Sequence, residues 1–91
     1  MKIHVKLKIF GKVQKVWFRA STKRKADELA ICGIVKNETD GTVYAELEGT
    51  ASQIDQMMKW CEKGPPLARV TKIEKEVGKL VNFTSFEIIR R

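Results

Sequence analysis

Residues 2–9 alternate without a break: Ile3, Val5, Leu7 and Ile9 fall on one side of an extended chain, Lys2, His4, Lys6 and Lys8 on the other. Successive side chains of a strand point to opposite faces, so this segment reads as a strand with one buried and one charged face. The fold is thereby restricted to a sheet covered on one side. The cover must itself be apolar along one stripe, and two later segments meet that requirement. From about Arg19 to Cys32 the residues have good helix propensity, with Thr22, Ala26, Leu29 and Ala30 on one stripe and Gly33 placed as a left-handed terminator. Further on, Thr50 and Gln53 have the spacing of a capping box. Ile54, Met57, Met58 and Cys61 then recur at helical spacing until Gly64-Pro65-Pro66 stops the helix.

Between these helices, Ile34-Val35-Lys36 leads through the turn Asn37-Glu38-Thr39-Asp40-Gly41 into Val43, Ala45 and Leu47, which alternate with Tyr44, Glu46 and Glu48. An Asp-Gly step between two extended runs is a strong hairpin signal. Residues 67–77 read as a strand of weaker pattern, Gly78-Lys79 as a turn, and Phe83 to Ile89 as a short last strand. The order is βαββαβ with a final strand. It predicts an α+β, ferredoxin-like sandwich: an antiparallel sheet with two helices on one face. Ninety-one residues suffice for one domain, 1–91, and not for two.

Hydrophobic residues at 43% and charged residues at 32% are ordinary for a soluble globular chain. The alternating start does not read as a signal peptide and no run has membrane-spanning length, so a cytoplasmic monomer without a membrane partner is expected. In that setting the sequons at Asn37 and Asn82 have no glycan to accept. Cys32 and Cys61, each placed at a helix end, lack the spacing of a disulfide framework or a zinc site and read as buried or half-buried thiols.

The formal charge of +7 would draw in phosphorylated small molecules, nucleic acid or acidic surfaces alike. More selective is the segment Gly11 to Phe18, a loop that feeds into a helix N-terminus. There unpaired backbone N–H groups converge and the helix dipole favours negative charge. Arg19 at that junction is a cation where the dipole disfavours one, a conflict that a bound anion would remove. Its planar fork also suits two phosphate oxygens. Taken alone, Arg19 fits a solvated surface arginine as well, and Asn37 fits an ordinary turn residue.

The two segments together resemble a known family. Ile9-Phe10-Gly11-Lys12-Val13-Gln14-Lys15-Val16-Trp17-Phe18-Arg19 is similar to the first acylphosphatase signature. Gly33-Ile34-Val35-Lys36-Asn37-Glu38-Thr39-Asp40-Gly41-Thr42-Val43 with Gly49 is similar to the second. The resemblance extends over essentially the whole chain and implies the same ferredoxin-like fold. It implies that Arg19 binds the phosphoryl group, that Asn37 positions water, and that the backbone N–H groups of Lys15, Val16, Trp17, Phe18 and Arg19 form the phosphate cradle. A small-molecule acyl phosphate is the implied substrate, with phosphate as product or inhibitor and neither metal nor other cofactor required. Two positions depart from the pattern. Lys15 stands where the family usually has glycine, which would strain a loop needing positive φ by about 1 kcal/mol and adds a cation. Ile34 replaces a usual aromatic and should still fill a core site.

Acyl phosphates have a good leaving group, so positioning and charge stabilisation can carry the reaction. His4, the only histidine, sits among lysines and reads as a solvated strand residue rather than a base. Lys23-Arg24-Lys25 reads as exposed helix surface, Trp17 as a shield of the loop or a packing residue, and Met57, Met58 and Trp60 as core. The ferredoxin-like arrangement also serves RNA recognition, but the open faces of the first and third strands offer lysines, His4, Tyr44 and glutamates rather than a stacking platform. No specific nucleic acid is expected. The other alternative is a non-catalytic binder of phosphorylated metabolites or of a partner protein, in which Lys15 has altered the loop and anion binding remains.

Overall fold

The computed structural model describes residues 1–90. β1 spans Ile3–Lys12, α1 Phe18–Glu28, β2 Cys32–Asn37, β3 Val43–Gly49, α2 Ala51–Lys63, β4 Arg69–Gly78 and β5 Phe86–Ile89. The five strands form one sheet in the order β4-β1-β3-β2-β5. Its pairings are antiparallel except at the β5 edge, where β5 runs parallel to β2. The alternation in β1 works as anticipated: Val5, Leu7 and Ile9 are fully buried and meet Leu47, Ala45 and Val43 of β3 across the ladder. α1 packs over β2 and β5, α2 over β3 and β4, and Ala26, Ile54, Met57 and Cys61 close the core from the helix side.

α2 begins with the anticipated capping box, the Thr50 hydroxyl accepting from the Gln53 amide at 3.2 Å and the Gln53 side chain accepting from the Thr50 amide at 2.7 Å. α1 is shorter than its propensity suggested. It ends at Glu28, Ala30 takes the left-handed conformation after it at φ 57°, and Ala30 is exposed, so it is no part of the buried stripe. Gly33 therefore terminates nothing. It lies inside β2 at φ 153°, where an added Cβ would overlap the Glu46 carbonyl of β3. Cys32 accordingly starts a strand rather than ending a helix, and is half-buried; Cys61 is fully buried, and burial pushes its thiol up to about 12.

His4 is not solvated: it is 1% exposed. Because β4 and β5 lie at opposite edges, the intervening chain crosses the open face of the sheet and covers one end of it. There His4 Nδ1 lies 2.8 Å from Glu48 Oε2, and the Phe83 ring stacks on the imidazole at a 6.0 Å centroid separation. The buried Glu48 carboxylate also accepts from the amides of Val81, Asn82 and Phe83. His4 Nε2 comes within 3.2 Å of Glu46 Oε1 but in a direction that makes no hydrogen bond, so that contact is a close approach only.

Candidate active site

The loop after β1 is held by what it buries. Val13 and Val16 are 1–2% exposed and Phe18, tilted against Trp60 at 5.8 Å, is 2% exposed. Each such burial contributes about 2 kcal/mol. That is enough to keep two non-glycine residues left-handed, at about 1–2 kcal/mol each: Lys15 at φ 62° and Trp17 at φ 65°. The positive φ at position 15 is thus real, with lysine bearing it. Two left-handed residues flanking one of negative φ make the kind of turn that can bring successive N–H groups toward one point, as in an anion-binding nest.

Trp17 is also the N-cap of α1, and it supplies no side-chain hydrogen bond to the helix. The first turn holds no acidic residue, so its N–H groups and the positive end of the dipole face outward uncompensated. Arg19, half-buried, is the second residue of that turn, and among the described residues no carboxylate pairs with it. Two like-signed features meet there, and an anion would satisfy both.

Asn37 ends β2, paired with Val43. The hairpin beyond it is stiff: the Glu38 amide donates to Thr42 O at 2.9 Å, and Asp40 Oδ1 accepts from the Thr42 hydroxyl and amide at 2.6 and 3.0 Å. The Thr42 hydroxyl, with Lys8 at 2.9 Å, holds the Asp40 carboxyl well below the usual carboxylate range. Gln14 joins loop to hairpin, its Nε2 donating to Glu38 O at 2.8 Å and Thr42 O at 2.9 Å. The sequence offered no sign of this role, because the partners are main-chain carbonyls 24 and 28 residues away.

Lys15, Trp17, Phe18, Arg19 and Asn37 line one cleft of about 300 Å³. Val16 contributes only backbone, its side chain being in the core. Trp17 neither packs nor is covered; it is 76% exposed at the rim. Ile88 of β5 and Arg90 just beyond it complete the wall, and neither was singled out from the sequence. Asn37 Oδ1 is buried in this setting and has no hydrogen-bond partner among the described residues. An unpaired buried acceptor costs about 1–3 kcal/mol, so the cleft holds an acceptor awaiting a donor beside donors awaiting an anion.

The family model for acylphosphatase matches residues 5–88. The acylphosphatase of Methylococcus capsulatus is 46% identical over 83 residues, covering 90% of each chain. Among solved structures, an acylphosphatase from Coxiella burnetii superposes with a TM-score of 0.93 at 32% identity, covering 97% of this chain and 93% of that one. The acylphosphatase from Bacillus subtilis gives 0.94 at 28% identity, covering 97% and 99%. On a family match over nearly its whole length and relatives aligned over nine-tenths of theirs, this chain belongs to the acylphosphatase family, hydrolases of the acid-anhydride bond.

Proposed function

We propose that residues 1–91 act as one domain and hydrolyse acyl phosphates at the cleft by in-line attack of water on phosphorus, without a metal ion. The phosphoryl oxygens are held by the amides of residues 15–19 and by the fork of Arg19. These donors stabilise the charge that develops in the transition state. Asn37 Oδ1 accepts a hydrogen bond from the attacking water and aims it. As the water oxygen bonds to phosphorus, the bond to the acyl oxygen breaks, the carboxylate leaves with the electron pair, and the water proton passes to a phosphoryl oxygen. Inorganic phosphate, the product, should compete for the cradle.

What supports this reading is a buried Asn37 oxygen with no partner among the described residues, in the same cleft as a helix start without a side-chain cap and an arginine that no described carboxylate pairs with. Hydrolysis of benzoyl phosphate in the presence of a chelator tests it. Arg19→Gln and Asn37→Ala, with native melting behaviour, should each lose at least about a hundredfold in kcat/KM. Native rates in both variants, or no turnover by the unaltered protein, would remove the proposal.

A further inference from the structure

The cleft is larger and more cationic than its phosphoryl site requires. Its lining runs from the loop and the start of α1 across Asn37 to Ile88 and Arg90 at the β5 edge, beyond the residues that hold the phosphoryl group. The cradle amides and the Arg19 fork already supply about as many donors as three phosphoryl oxygens can accept. Two further cations line the same cleft from different walls, Lys15 on the loop and Arg90 beyond β5. Both are exposed, and among the described residues neither pairs with a carboxylate. Val16 is turned into the core, which leaves the flanking Lys15 and Trp17 side chains on the solvent side. The same lining includes Trp17 and Ile88, which offer apolar surface.

We infer that Lys15 and Arg90 form a second anion site, and that the preferred substrates are small acyl phosphates whose acyl part carries a further carboxylate or phosphate. This inference rests on the acyl phosphate hydrolysis proposed above and names the class of substrate within it. The acyl body lies against Trp17 and Ile88, the phosphoryl group sits in the cradle, and the distal anion meets the two cations. Without it, two like charges share one small cleft uncompensated. With it, each gains a charge-assisted hydrogen bond.

The test compares kcat/KM for benzoyl phosphate with that for its 3-carboxy and 4-carboxy derivatives. These keep the same reacting group, and an ionised ring carboxylate scarcely alters the leaving group. The unaltered protein should prefer at least one carboxylated substrate by about tenfold, which corresponds to about 1.4 kcal/mol. The double variant Lys15→Gln, Arg90→Gln should lose most of that preference, and salt should erode it, since both cations are exposed. The control pair Lys59→Gln, Lys63→Gln, which removes the same two charges from the exposed side of α2, should keep it; a general steering field would be weakened by either change. Turnover without preference, or a double variant that slows all three substrates equally, overturns the second site while leaving the hydrolase reading intact. No turnover of any of the three removes both.

Discussion

Lys15 occupies a conformation that glycine enters freely. At φ 62° its Cβ costs about 1–2 kcal/mol, and replacing it by glycine returns that strain while loosening the unfolded chain by about 0.5–1 kcal/mol. The balance favours glycine. Lys15→Gly should therefore raise unfolding stability by about 0.5–1 kcal/mol, read as a higher urea midpoint at unchanged slope; a lower midpoint would mean that the ammonium makes a compensating contact. If the second anion site exists, that gain in stability comes with a loss of selectivity. Positive φ at position 15 was foreseeable only as a condition, from the glycine usual in the family at a place where this sequence has lysine. The fate of His4 was not, since its lysine-flanked strand gives no hint that Phe83, 79 positions later, will lie on its ring.

At the scale of elements, the site is an alignment of two separate pieces, the loop into α1 and the β2–β3 hairpin, with Gln14 as the side-chain tie between them. Its two acceptors each also receive a main-chain N–H, from Gly41 and Glu38, so removing Gln14 strands no carbonyl. The stability cost of Gln14→Leu should then be only about 1 kcal/mol. In the proposed reaction, misplacing water relative to phosphorus is far more damaging. We expect kcat to fall at least about tenfold with a small change in melting temperature; an unchanged kcat would show that the two pieces hold register by themselves. Element types and order were readable from periodicity, propensity and turn residues, whereas the end of α1 was not. Gly33 looked like a terminator because helix ends and close strand crossings both call for a residue without Cβ, and the left-handed position went to Ala30 instead.

Over the whole molecule, the segment that crosses from β4 to β5 ties both edges of the sheet to its middle through one carboxylate. Burial by itself would raise the Glu48 pKa, but the Val81 amide, His4, and the amides of Phe83 and Asn82 outweigh it and hold the group below its ordinary value. A carboxyl depressed in the folded state contributes stability above the ordinary glutamate value, about 4.3. That contribution is lost as pH falls below it toward the folded pKa. Glu48→Gln should cost about 2 kcal/mol at neutral pH, having lost charge-assisted bonds, and should unfold with a shallower acid dependence than the unaltered protein. Equal urea midpoints at neutral pH, or parallel acid slopes, would show that the crossing is held by Phe83 packing instead.

The placement of the cleft also decides where the protein can be joined to something else. Arg90 stands in the wall of the cleft, so a peptide or surface attached there would crowd the proposed substrate site. The start of β1 lies at the other end of a ten-residue strand, about 30 Å from the loop at roughly 3.3 Å per residue. Immobilisation, a purification handle or a fluorescent partner therefore belongs at the amino end, which leaves the proposed site uncovered.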